Sequence, residues 1–143
     1  MISLSLIEVK KPAFLRLREL KNYLKGLIIS EGFIPGDLSL VFCTDEYLLK
    51  VNQDFLQHDY YTDIITFDYC ENGKIQGDLI ISLDRVLENS LIEKTRFEEE
   101  LYRVIFHGTL HLCGYKDKGK NDILLMRSKE AQYLKRFVSR ETI

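Results

Sequence analysis

The sequence predicts an α+β domain: a small four-stranded mixed sheet flanked by about five helices, with a metal site at the end of a helix in the C-terminal half. Three observations predict it. Four β-rich segments all fall before residue 83, interleaved with helical ones. The remainder carries apolar residues at three- and four-residue spacing, so the second half is helical. His107 and His111 then stand four apart, just ahead of Gly114 and Asp117.

The elements follow in order. Ile2 to Val9 alternates and reads as a first strand. Pro12 opens a helix with Phe14, Leu17, Leu20 and Leu24 at helical spacing. Gly32, Pro35 and Gly36 break the chain before a second strand, Leu38 to Cys43. Thr44 is an N-cap, and Asp45 and Glu46 sit in the first turn of a helix carrying Leu48, Leu49, Val51, Asn52 and Phe55. Gln57 to Tyr61 is polar and turn-like. Thr62 to Tyr69 is a β-rich third strand, and Glu71-Asn72-Gly73-Lys74 joins it as a hairpin to a fourth, Ile75 to Ser82. Asp84 starts a short helix. Thr95 caps the next, with Phe97, Leu101, Val104 and Ile105 as its core stripe. A last amphipathic helix, about Asn121 to Val138, buries Ile123, Leu124, Met126, Ala131, Leu134 and Phe137. No repeat or linker interrupts residues 1–143, which read as a single domain.

Composition narrows the class. The 143 residues are 45% hydrophobic and 29% charged, enough to build a full core. No apolar run approaches membrane-spanning length, and the N-terminus reads as a strand rather than a signal peptide. Cys43, Cys70 and Cys113 are an odd count with no CxxC pair, the pattern of reduced thiols in a cytoplasm. Net charge is −2, which gives no global sign of nucleic-acid binding. From Gly114 onward, however, eight Lys or Arg face four Asp or Glu. Lys116, Lys118 and Lys120 begin that basic segment and form a cluster suited to phosphate; a solvated helix face is the plainer explanation.

The chemistry concentrates in His107-Gly108-Thr109-Leu110-His111-Leu112-Cys113-Gly114-Tyr115-Lys116-Asp117. Residues four apart share one helix face, so both imidazoles can reach one metal ion. Gly114 ends the helix and turns Asp117 back as a third ligand, with His58 as second choice for that role. Cys113, about 200° round from His111, faces away and reads as a core thiol. The spacing is that of metzincin zinc proteases, but Gly108 stands where they carry a catalytic Glu. That argues for hydrolysis of something other than a peptide, or for no chemistry. Two inert hydrogen-bonded histidines are the bland alternative. Asp63 and Asp78, acids within β segments, are candidates to orient a ligating His; edge-strand placement explains them equally well.

The run His107 to Tyr115 resembles the signature of the YbeY family of single-strand-specific endoribonucleases, also called rRNA maturation factors. Asn52 before an aromatic, Thr62-Asp63-Ile64-Ile65-Thr66-Phe67, Gly77-Asp78-Leu79-Ile80-Ile81-Ser82 and Met126 are similar to the family's other blocks in the same order. The resemblance implies a cytoplasmic metal-dependent RNase acting in ribosomal RNA maturation, including the 3′ end of 16S rRNA, and in ribosome quality control. It implies one Zn2+ per chain on the HxxxHxxxxxH pattern, here His107, His111 and position 117. Its partners would be single-stranded and ribosomal RNA, the small ribosomal subunit and assembly proteins, with no membrane. Two departures stand out. Asp117 replaces the family's third His; its carboxylate can ligate zinc at ~2.0–2.2 Å. Leu56 replaces an Arg, and so removes a fork suited to phosphate. Asp63 is the expected base or orienting group, and Lys116 or its neighbours the expected neutraliser of phosphate charge. The rival reading is a non-catalytic ribosome-assembly factor with structural zinc, which Leu56 favours. A metalloprotease is disfavoured by Gly108.

Overall fold

Alternation along the central strands sorts the sheet into two faces. Leu38, Leu40 and Phe42 point one way, as do Ile75, Leu79 and Ile81, and all six are buried in the main core. Cys43, Ile65 and Ile80 point the other way, into a smaller cluster with Leu48 and Val51. The computed structural model describes residues 1–141. Its elements are β1 (Ile2–Leu6), α1 (Leu17–Ser30), β2 (Ile34–Cys43), α2 (Asp45–Leu56), β3 (Ile64–Asp68), β4 (Lys74–Ser82), α3 (Leu83–Glu93), α4 (Phe97–Leu112) and α5 (Lys120–Glu141).

The sheet order is β1-β2-β4-β3. β1, β2 and β4 run parallel, and β3 pairs antiparallel with β4 at one edge. This is an α+β fold with a mixed four-stranded sheet. α2 covers one face, α1 and α4 cover the other, and α3 and α5 pack on α4. β4 turns Ile75, Leu79 and Ile81 into the main core, while its other face carries Lys74, Gln76 and Asp78 and packs Ile80 against the smaller cluster.

Local chemistry explains the boundaries. Thr44 Oγ1 accepts the Tyr47 N–H at 3.2 Å, capping α2. Asn72 and Gly73 have φ of 52° and 77°, the two positive values of a type I′ turn, and close the β3–β4 hairpin. β2 begins four residues earlier than alternation predicts, with a register shift between Pro35 and Leu38. Gly36 permits this, since a Cβ there would stand 2.5 Å from Gln76 Cγ and 2.8 Å from the Ile75 carbonyl oxygen.

Four expectations are corrected. β1 stops at Leu6, and Glu8 takes a left-handed φ of 59°. Pro12 opens a turn closed by Leu15 N–H on the Pro12 carbonyl, not a helix; Phe14 turns inward edge-on to Phe97 and Tyr102. Arg96, not Thr95, precedes α4 without a side-chain cap, while Glu98, Glu99 and Glu100 complement the helix dipole. On α5 the buried stripe is Met126, Glu130, Tyr133 and Phe137, whereas Ile123 and Leu124 are exposed.

Candidate metal centre

The site grows from the way α4 lies on the sheet. Gly108 faces β3 and β4 so closely that a Cβ would stand 2.7 Å from Ile64 Cδ1 and 2.9 Å from Leu79 Cδ2. The position that carries Glu in zinc proteases is therefore a packing contact here, where a side chain would have to displace Ile64 and Leu79. His107, one step round the helix, faces α5. Its Nδ1 lies 2.6 Å from Glu130 Oε2.

α4 ends at Leu112, and Gly114 at φ 106° reverses the chain. Gly114 N–H donates to the His111 carbonyl and Tyr115 N–H to the Leu110 carbonyl. The returning segment places Asp117 Oδ2 3.4 Å from His107 Nε2. It also places the Tyr115 carbonyl 3.0 Å from His111 Nδ1.

These partners assign both tautomers. A carbonyl only accepts, so His111 Nδ1 carries a proton and Nε2 is the nitrogen left to ligate a metal. Glu130 does the same for His107. Burial alone would raise its carboxyl, but hydrogen bonds from His107 and Arg103 outweigh that and hold it below the ordinary value. His107 Nε2 is therefore the ring nitrogen left to face Asp117. Two ligand atoms on one tetrahedral zinc stand about 3.4 Å apart at ordinary bond lengths, so this pair fits a shared ion. Among the described residues, no three His, Cys, Asp or Glu side chains already converge closely enough to hold a metal.

A buried charge network supports this pair. Arg103 grips Glu100 through Nε and Nη2 at 2.8 and 2.6 Å, and reaches Glu130 through Nη1 at 2.9 Å. Glu100 and Glu130 are buried. Burial pulls the Arg103 guanidinium down, but its two carboxylate partners push it further up and keep it charged.

Two cavities meet at the pair. One, of 280 Å³, is lined by Asp63, Arg103 and Glu130. The other, of 350 Å³, is lined by His58, Tyr60, His111 and Lys118. Asp63, Ile64, His107 and Asp117 line both. Burial raises the Asp63 carboxyl, against the charges of Arg103 and His107, so it is a candidate to hold or release a proton.

The predicted residues fall as follows. Asp63, His107, His111 and Asp117 come together around the second cavity, with His58 and Leu56 on its wall. Lys116 lines a separate cavity beside Glu31 and Tyr115, whereas Lys118 lines the site. Cys113 is buried, and burial pushes its thiol up to about 12. Asp78 pairs with Phe67 in the β3–β4 ladder, on the face away from Leu79. The histidines are oriented by Glu130 and the Tyr115 carbonyl, not by Asp63 or Asp78. Sequence reasoning missed Glu130 and Arg103. The signal was an acid at position 130 in line with Met126, Tyr133 and Phe137.

A family model described as endoribonuclease YbeY matches residues 10–138. An endoribonuclease YbeY of Porphyromonas gingivalis is 50% identical over 129 residues, which cover 90% of this chain and 84% of that protein. One of Flavobacterium psychrophilum is 52% identical over 116 residues, covering 81% and 83%. The solution structure of TM1509 from Thermotoga maritima matches with a TM-score of 0.71 at 25% identity, covering 97% of this chain and 91% of that one.

Proposed function

This chain belongs to the endoribonuclease YbeY family, and from that premise we propose that it is a zinc-dependent endoribonuclease cutting single-stranded RNA. We take its substrate to be ribosomal RNA, including the 3′ end of 16S rRNA, and its setting to be ribosome maturation and quality control in the cytoplasm. The small ribosomal subunit and its assembly proteins would be its partners. No helix among the described residues is long and apolar enough to cross a membrane.

One observation carries the reading: His107 Nε2 and Asp117 Oδ2 stand at the separation of two ligands on one ion, with His107 held from behind by buried Glu130. His107, His111 and Asp117 would hold the zinc. When bound, the ion supplies Lewis acidity toward a phosphoryl oxygen. The chain's own residues do the rest. Asp63, its carboxyl raised by burial, sits where it can take or give a proton. Lys118 supplies positive charge in the same cavity, and Lys116 supplies it from the neighbouring one. Arg103 is committed to two carboxylates and does not serve the phosphate.

A second reading is an assembly factor with structural zinc. Leu56 on the cavity wall favours it, because an alkyl chain offers phosphate no donor. His111→Ala separates the two. The enzyme reading expects loss of RNA cleavage with ribosome association retained. Cleavage that survives the substitution refutes it. Loss of folding alone makes the metal structural.

A further inference from the structure

The loop after α2 is tied down at both ends. Gln57 closes the helix in a left-handed conformation, and His58 N–H donates to the Asn52 carbonyl at 3.1 Å. The buried Asn52 side chain reaches forward, its Nδ2 donating to the Tyr60 carbonyl at 2.9 Å. Gln53 Nε2 donates to Asp59 Oδ1 at 2.6 Å. On this support the His58 and Tyr60 rings stack, with centroids 5.2 Å apart and planes inclined by 20°. Tyr60 Oη and His58 Nδ1 are 3.0 Å apart.

This tethered pair is not spent on the core. His58 is exposed, and 55% of Tyr60 remains open to solvent. Both rings line the cavity that holds His107, His111 and Asp117. Two other exposed rings nearby are already engaged. Tyr61 lies under the Arg85 guanidinium at 4.9 Å, and Phe55 packs edge-on to Phe67 at 6.0 Å. In a stacked pair, each ring keeps one face turned away from its partner.

We propose that His58 and Tyr60 form a base-stacking platform that holds an unpaired nucleobase beside the scissile phosphate. The inference rests on the RNA reading above and assigns these two residues a role within it. A base in a duplex has both faces covered by its neighbours, whereas a splayed base can lie on an aromatic ring. Stacking tolerates any base, because every base has a π-face. Lys118 in the same cavity neutralises phosphate as a point charge, so grip and discrimination must come from another contact. The platform supplies it where Leu56 leaves no phosphate fork.

Fluorescence anisotropy on the full chain tests this. The probes are a cleavage-resistant 2′-O-methyl RNA strand, its duplex, and an equally long abasic strand. The unaltered protein should prefer the base-bearing single strand to both others. Tyr60→Leu should weaken that binding by about tenfold and leave abasic binding unchanged. Tyr60→Phe, which keeps the ring and loses the hydroxyl, should bind as the parent does. Equal affinity of the parent for base-bearing and abasic strands overturns the platform. So does an equal loss in Tyr60→Leu and Tyr60→Phe, or an unchanged Tyr60→Leu. If the unaltered chain neither binds nor cuts any RNA, the functional reading itself fails.

Discussion

Replacing Glu130 by Gln removes one charge from the centre of the network while keeping its shape. Oε2 accepts from His107 Nδ1 at 2.6 Å, and Oε1 accepts from Arg103 Nη1 at 2.9 Å. A glutamine presents one acceptor and one donor group, so one of those two N–H groups meets a donor. Breaking a buried ion pair outright costs about 3–5 kcal/mol. Arg103 keeps its two bonds to Glu100, so its charge is not stranded. The cost then falls nearer that of charge-assisted hydrogen bonds, about 2–3 kcal/mol. For a chain of this size that lowers Tm by roughly 6–10 °C. The second consequence is separate. With a neutral amide in place of the carboxylate, His107 shares its single acceptor with Arg103, its tautomer and ring orientation are held less firmly, and zinc affinity should fall about 10- to 100-fold. Thermal unfolding in chelator measures the first effect, and competition against a chromophoric chelator measures the second. Unchanged zinc affinity with a lowered Tm would reduce Glu130 to a structural acid. No change in either would refute the network.

Gly108→Ala should destabilise the fold although alanine favours helices. The new methyl meets Ile64 and Leu79 at under 3 Å, and an overpacking cost of about 1–3 kcal/mol outweighs a propensity gain of about 1 kcal/mol. A higher urea midpoint for the variant would contradict this. Gly108→Glu should abolish soluble expression rather than create a protease, because its carboxylate would enter the helix–sheet interface. Glu31 predicts an acid transition. Burial pushes its carboxyl up, but hydroxyl donors from Tyr115 and Tyr133 and the charge of Lys129 carry it below its ordinary 4.5. A depressed carboxyl stabilises the fold fully above the unfolded value and loses that contribution as pH falls through the folded one. The stability gap between the parent and Glu31→Gln should therefore be steady near pH 6 and shrink below about 4.5. A gap that stays constant down to pH 3 would sink the argument. Asp117→Ala should remove an oxygen ligand from the X-ray absorption signature and lower zinc occupancy below one per chain. An unchanged ligand shell would transfer the third position to His58.

What the sequence showed, and what it hid, divides along a physical line. Features set by a few neighbouring residues were legible. Asn72-Gly73 needs two positive φ values, Thr44 offers an oxygen to an orphan N–H, and four-residue spacing puts His107 and His111 on one face. The order β1-β2-β4-β3 was not legible, because alternation says which face a residue takes and nothing about the strand beside it. Ile123, Leu124 and Leu125 hid the true face of α5. Three consecutive apolar residues point in three directions, and only packing on α4 decides which are buried.

Glu130 was hidden differently, and its concealment shows how the site is built. Taken alone, a Glu on a helix reads as solvated. In line with Met126, Tyr133 and Phe137 it stands where a carboxylate cannot stay charged without donors. The facing helix must therefore bring N–H groups to it. Arg103 and His107, four residues apart on α4, do so together. The buried acid thus connects stability to chemistry. The arginine makes its charge tolerable at that depth, and the charge in turn fixes the proton on His107 Nδ1 and leaves Nε2 facing Asp117. Replacing Arg103 should accordingly disturb zinc binding without touching a ligand. Arg103→Met would leave two buried acids sharing the site, raise the Glu130 carboxyl and loosen its hold on His107. Weaker zinc binding in that variant, partly restored by pairing it with Glu100→Gln, is the expected result. Zinc affinity equal to the parent's would break the chain of reasoning at its first link.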